Sequence, residues 1–412
     1  LALLDKLKSA SLKKIFENFL SLSILNIVNF IFPLLIIPIL IKRLGVENYG
    51  IYIFAFTILN YLNLLVQYGF NFSATNKIAK NQNNSEIISL TYSSISIIRS
   101  LLSIIIIFFL LVGYLIYPNQ IEIYLLGSGI FLGQGLIPVW LFQGLEKMKF
   151  ITVINLVVRL IAFLLILIYI KTEKDMGLLM GLQSISFFLG AIISCLFVQF
   201  NCRIDFRIPS IEQIKTDLKE GWQLFLSTIG MNFYRESNII ILGMTTNYYI
   251  VGLYAPAEKL VKAIQSFTNI IVTALYPHFS RKFASSGLDT FSVFQKTGRY
   301  LGMLFLVGSI VLCLAAPLII KLYLGTAIES TIWDLRILSF IILFGGLNYY
   351  YGIIGMVNMN LEAYFSRIVW ISGIISLIIC FTLSLFLKDI GASIAMISAE
   401  IVLLLLILRK IK

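Results

Sequence analysis

Apolar stretches near 20 residues long recur along the whole chain, separated by mostly short polar loops. A helix of about 20 apolar residues crosses a hydrocarbon core of roughly 30 Å. The pattern therefore predicts about twelve spans, over 18–41, 50–70, 87–112, 121–142, 150–170, 177–200, 221–245, 253–276, 299–322, 337–357, 368–387 and 391–408. The fold class this implies is an all-α integral membrane protein. The first run, 18–41, is too long for a cleaved signal peptide and carries no small-residue cleavage site, so it is expected to be a retained span.

Polar positions divide the chain. Residues 201–220, NCRIDFRIPSIEQIKTDLKE, are polar and basic, with Pro209 as a helix breaker. Six expected spans precede this segment and six follow it. The expected organisation is an N-terminal bundle over 1–200, a cytoplasmic linker over 201–220 and a C-terminal bundle over 221–412. A faint internal repeat supports two like halves. YGIYIFA at 49–55 resembles VGLYAPA at 251–257, and Phe72-Ser73 and Phe279-Ser280 follow at similar distances. Six spans separate the copies, so both have one orientation, which suits two bundles related by an axis along the membrane normal.

Composition fits a chain living mostly in lipid: 59% hydrophobic and 13% charged, against about 25% charged in soluble domains. The net charge of +12 is explained by basic residues flanking spans, with no need for nucleic acid. Of the 32 Lys and Arg, 20 fall in loops on the side of the termini, 7 on the opposite side and 5 inside spans. Cytoplasmic loops collect Lys and Arg, so both termini are expected in the cytoplasm.

Catalytic signatures are missing from the sequence. There is no GxxxxGK[ST], HExxH or GxSxG. Cys195, Cys202, Cys313 and Cys380 make no CxxC pair, and His278 is the single histidine. No metal or cofactor is expected. A membrane polymerase or glycosyltransferase typically carries a large outer loop with charged residues. The longest outer loop here, about 323–336, has Glu329 and Asp334 but no paired acidic motif. Binding and movement are better supported than bond making.

The informative residues are charges inside spans: Arg99, Arg159, Arg235, Lys259 and Lys262, against Glu236, Glu258 and Glu400. A charge at mid-membrane costs roughly 2.5–3.5 kcal/mol on insertion scales, so such residues tend to face a bundle interior, paired or serving a substrate. Glu258 and Lys262 are spaced i,i+4 and could simply neutralise each other. Arg235 and Glu236 are adjacent and point in different directions. The excess of five basic over three acidic residues suits an anion, and arginine suits a phosphate through bidentate hydrogen bonds. The five basic residues are candidates for binding it; Glu236, Glu258 and Glu400 are candidates for a coupling proton or cation. Tyr349, Tyr350 and Tyr351 beside Asn348 could stack on sugar rings, although packing is the plainer role. Pro33, Pro38, Pro138, Pro277 and Pro317 lie in or at the ends of spans, where proline bends helices.

Several segments resemble a known family. IPILIKRLGVENYGIYIFA at 37–55, YGFNFSATNKIAKN at 68–81, PVWLFQGLEKMKFI at 138–151, the run from Ser237 to Arg281 and GASIAMISAEI at 391–401 are similar to segments of Wzx-type O-antigen flippases. These belong to the multidrug/oligosaccharidyl-lipid/polysaccharide (MOP) exporter superfamily. The resemblance implies twelve core helices in two six-helix bundles around a central cavity, as in MATE transporters. It implies a flippase that moves undecaprenyl-pyrophosphate-linked oligosaccharide repeat units across a bacterial inner membrane for O-antigen or capsule. Expected partners are that lipid-linked oligosaccharide, membrane lipid, and a polysaccharide polymerase and chain-length regulator. The family's PVWLFQG and AEK elements stand here as Pro138–Gly144 and Ala257–Lys259; neither is a catalytic signature.

Two other functions fit parts of the pattern. A cation-coupled drug antiporter of the same fold would be favoured by an excess of acidic residues in its cavity. A membrane polysaccharide polymerase would be favoured by a long charged outer loop.

Overall fold

The computed structural model describes the backbone of residues 2–202, 204–284 and 290–411, and side chains other than those of 1–23, 26, 27, 203, 227, 230–235, 284–289 and 412. The described chain is helical throughout and contains no strand. Eight helical stretches are long and apolar enough to cross a membrane. Two of these, Val28–Lys80 and Glu362–Ile411, each contain two of the expected spans, so the eight take in ten of the twelve. The other two expected spans, 221–245 and 253–276, lie in α9 (Ile211–Thr245) and α10 (Tyr248–Ala284). These helices carry the intramembrane Glu and Lys residues, which lower their hydropathy.

The first two expected spans form one continuous element, α1 (Ala2–Gln67), bent at Gly45. Gly45 has φ 80° and ψ 165°, a backbone conformation open to glycine and strained for residues with a Cβ. The last two expected spans likewise merge into α14 (Glu362–Ile411), with the chain turning at Lys388, φ 53°.

Contacts divide the chain into two compact units. Unit 1 is Leu1–Phe32 with Ala55–Ile229, and unit 2 is Pro33–Phe54 with Gly230–Lys412. The segment around the α1 bend thus packs with the second half of the sequence.

Unit 1 also contains α2 (Phe70–Lys80), α3 (Ser85–Ile116), α4 (Pro118–Leu126), α5 (Ser128–Leu136), α6 (Val139–Gly144), α7 (Met148–Tyr169) and α8 (Met176–Asn201). Asn84 caps α3, its side chain accepting from the backbone N–H of Glu86 and Ile87. A core of Phe70, Ile95, Trp140, Phe142, Ile151 and Val198 joins α2, α3, α6, α7 and α8. Ser210 opens α9: its hydroxyl accepts from Gln213 N–H at 3.1 Å, directly after Pro209. Half of the polar segment 201–220 is therefore helix, not loop.

Unit 2 holds the C-terminal part of α9 from Gly230, then α10, α11 (Thr290–Leu324), α12 (Glu329–Leu338), α13 (Ile341–Tyr349), a π-helical turn (Tyr350–Met356) and α14. The fourth expected span of each half is broken into three pieces: α4, α5 and α6 in unit 1, and α12, α13 and the π turn in unit 2. The two copies of the internal repeat meet within unit 2. A Cβ on Gly50 would collide with the Tyr248 carbonyl oxygen, and one on Gly252 with the Val46 carbonyl oxygen. Two helices cross there at backbone contact, as small residues permit in membranes.

Candidate functional site

Four of the eight charged candidates come together in unit 2. Asn247 starts α10, its side chain accepting from Ile250 N–H at 3.0 Å, and the helix then carries Glu258, Lys259 and Lys262 past α9. Lys262 Nζ lies 3.0 Å from Glu236 Oε1 and 3.1 Å from Glu258 Oε1, while Lys259 Nζ lies 3.7 Å from Glu236 Oε2. Two carboxylates and two ammonium groups make a network with no net charge. Glu258 is fully buried, and its contact to Lys262 falls short of a directed hydrogen bond. Tyr49, Tyr254 and Cys380 lie within electrostatic reach of the Glu258 carboxylate. The Tyr254 hydroxyl accepts from Asn238 Nδ2 at 3.1 Å, which ties this pocket of polar groups to α9.

Glu400 stands apart on α14. Its Oε2 accepts from Asn348 Nδ2 at 2.6 Å, and the same amide donates to the Glu400 carbonyl at 2.8 Å. Asn348 is the penultimate residue of α13, just before the π turn, and π turns often mark functional positions. The tyrosine run that follows serves packing at its centre: Tyr350 stacks on Phe294 with ring centroids 4.8 Å apart and donates to the Phe294 carbonyl at 2.9 Å. Tyr349 reaches Thr273 through its hydroxyl at 3.3 Å.

The arginines of unit 1 differ from the lysines of unit 2. Arg99 is buried on α3 and donates to the Gly135 carbonyl at 2.8 Å, to Asn71 Oδ1 at 3.0 Å and to the Gln67 carbonyl at 3.5 Å. Gly135 and Gln67 close α5 and α1, whose C-terminal carbonyls lack helical partners and carry partial negative charge. Arg99 thus ties two helix ends together. Arg159, in the middle of α7, lies over the Phe187 ring at 5.9 Å, and its Nε is buried with no hydrogen-bond partner. Among the described residues no carboxylate lies within ion-pair distance of either arginine. Asn155, Arg159 and Phe163 are spaced four apart on one partly buried strip of α7, and Phe163 meets Phe32 edge-on at 6.0 Å. The Arg235 side chain lies outside the described residues.

Structure also brings together residues that the sequence left apart. Ser330 and Asp334 on α12 face Asp389 and Ser393 on α14 in a reciprocal pattern. The Ser393 hydroxyl donates to Asp334 Oδ1 at 2.8 Å, and the Ser330 hydroxyl donates to Asp389 Oδ2. The paired acid missing from the 323–336 loop is present in space, supplied by the turn at Lys388. Spacings Ser-x3-Asp and Asp-x3-Ser were the legible signal. In unit 1, Asp217 is buried where α9 begins and accepts from Lys77 Nζ at 2.7 Å and Ser94 Oγ at 2.6 Å. Asn63 donates to Gln134 at 2.8 Å.

A family model described as polysaccharide biosynthesis protein matches residues 15–283. The chain belongs to that family. It is 28% identical over 388 residues to a protein of Escherichia coli (strain K12) named "Putative O-antigen transporter", covering 93% of each chain. A protein of the same name from Shigella dysenteriae is 26% identical over 404 residues, covering 96% of this chain and 100% of the relative. Among solved structures, the lipid II flippase MurJ in an inward closed conformation matches with a TM-score of 0.68 at 14% identity, over 97% of this chain and 87% of MurJ. An inward-facing multidrug resistance MATE family transporter of the MOP superfamily matches with a TM-score of 0.66 at 15% identity, over 95% and 98%. The family member is thus an all-α, multi-pass membrane protein with the fold of MATE transporters and MurJ, as the sequence resemblance implied.

Proposed function

We propose that this family member is a flippase that moves undecaprenyl-pyrophosphate-linked oligosaccharide repeat units across the bacterial inner membrane by alternating access, for O-antigen or capsular polysaccharide. The observation that carries the reading is similarity along nearly the full length to two proteins named as O-antigen transporters. The MurJ-like fold is consistent with a lipid-linked cargo, and the basic bias of one set of loops supports termini in the cytoplasm. A polymerase and a chain-length regulator are the expected partners downstream of the flipped repeat unit.

Residue roles follow from charge balance. Arg159 has no carboxylate partner among the described residues and is our first choice for the pyrophosphate, since a desolvated guanidinium gains most from an anion. Arg235 is retained as a second candidate. Lys259 and Lys262 contribute only as Glu236 and Glu258 release them from their ion pairs. Glu400 is a further candidate for the coupling ion. Arg99 supports the fold around the binding residues through the helix ends it joins.

Deletion in the native host, scored by surface polysaccharide and by the leaflet of the lipid-linked sugar, tests the reading. Loss of surface glycan with complete repeat units facing the cytoplasm is the expected result. Repeat units that reach the outer leaflet unpolymerised would overturn it in favour of a polymerase or an assembly partner.

A further inference from the structure

The segment that joins the two halves of the sequence carries a surface that the transport reading does not use. Residues 204–222 are fixed to unit 1 from one side. Ile204 sits in the unit 1 core, with Ile214 and Leu218 packed against it. The Arg207 N–H donates to Ser93 Oγ at 2.8 Å. Asp217, buried and held by Lys77, Ser94 and Gln213, locks the first turns of α9 in rotation.

With that rotation fixed, the remaining faces of α9 are determined by helical spacing. Ile211, Lys215, Trp222 and Lys219 fall on one exposed face; Glu212, Thr216 and Glu220 fall on the next. Just upstream, Phe206 is 60% exposed, Ile208 89% and Ile211 72%. Arg207 stands between the first two, its guanidinium meeting Glu86 in an exposed contact at 3.4 Å, a kind of pair that contributes little. Among the described residues, Lys215 and Lys219 have no carboxylate within ion-pair distance. A protein does not hold this much apolar surface in water beside unpaired cations without a partner.

The geometry points to a binding surface for anionic lipid headgroups, formed by Phe206, Arg207, Ile208, Ile211, Lys215, Lys219 and Trp222. The chain is already a membrane protein, so the bilayer is at hand. The apolar side chains enter the headgroup–acyl boundary, the tryptophan sits at that level, and the basic side chains extend to phosphate groups. Glu212 and Glu220 fall on the neighbouring face of α9, where Glu220 reaches Lys77 at 4.0 Å. Because Asp217 joins this face rigidly to unit 1, lipid binding anchors unit 1 at the membrane boundary.

The test uses the full chain in nanodiscs of equimolar phosphatidylglycerol and phosphatidylcholine. After transfer to detergent, native mass spectrometry counts the retained lipids of each class. The triple variant Arg207→Gln, Lys215→Gln, Lys219→Gln should lose preference for phosphatidylglycerol by about fivefold per basic residue removed. The double variant Lys171→Gln, Lys174→Gln, which removes two exposed charges from another loop, should retain it. In parallel, Ile208→Cys carrying an environment-sensitive fluorophore should be quenched by lipids bearing a nitroxide at the headgroup. Equal lipid retention by the wild type and the triple variant, equal loss in the loop control, or an unquenched probe at 208 would each overturn the proposal.

Discussion

The two copies of the repeated helix bury different polar groups, although unit 1 holds an ion pair of its own between Lys77 and the buried Asp217. In unit 1 the second segment of α1 presents Asn63 to Gln134 of α5, a neutral amide pair, and the buried cation nearby, Arg99, is satisfied by carbonyls and an amide. In unit 2 the stretch that repeats this part of α1 is α10, and there Glu258, Lys262, Lys259 and Glu236 form charged pairs. Counting from the matched glycines Gly50 and Gly252, Phe56 stands where Glu258 does and Asn60 where Lys262 does. One helix plan thus carries a dipolar core in one copy and an ionic core in the other. Neutral amides hold one arrangement across a wide range of pH. In the proposed scheme the paired acids and bases of unit 2 serve coupling, and Arg159 of unit 1 serves the anion.

The comparison can be broken by substitution. Removing Lys262 should do most harm, because Glu258 would stay buried without a counter-charge: Lys262→Ala should cost about 3–5 kcal/mol, read as loss of monodisperse protein and a lower melting temperature in detergent. Adding Glu258→Gln should restore most of the loss; a double variant as unstable as the single would show that the two do not form one ionic unit. Next comes the crossing of the repeats. Gly252→Ala drives a methyl into the Val46 carbonyl, and overpacking of this kind costs about 1–3 kcal/mol. A melting temperature equal to wild type would mean that the helices separate freely there. Asn63→Ala should cost less, about 0.6 kcal/mol, the average for a hydrogen bond between membrane helices; a loss comparable to Lys262→Ala would erase the contrast between the units.

Arg159 gives the smallest stability effect and the sharpest functional one. Arg159→Leu should leave thermal stability unchanged or raised, since no described carboxylate loses a partner, while export of surface glycan in the deletion host is abolished. Arg99→Leu should instead lower stability by roughly 1.5–3 kcal/mol through its charged hydrogen bonds to helix ends. Full export by Arg159→Leu would remove it from the anion site.

Particular residues show how far the sequence could be read. The spans near 87–112, 150–170 and 177–200 correspond to α3, α7 and α8, because long apolar runs leave a backbone in lipid little choice but helix. The i,i+4 pairing of Glu258 with Lys262 was also legible, being local to one helix. Arg99 and Arg159 were alike as sequence symbols, each one cation in an apolar run. What separates them is that Arg99 meets the closing turns of α1 and α5, contacts 32 and 36 residues away. The Asp334–Ser393 and Asp389–Ser330 contacts, each 59 residues apart, depended in the same way on how α12 lies along α14.

The amino-acid sequence by itself determined that the chain is an all-α bundle of helices long and apolar enough to cross a membrane, since hydropathy and helical period act over a few turns. Only the tertiary structure decided which of its charges are neutralised, that residues 33–54 pack with the second half of the chain, and that the polar joining segment shows its basic, apolar face outward. Those outcomes rest on side chains meeting across helices, where rotation and bend at Gly45 and Lys388 set the partners, and no local spacing encodes them.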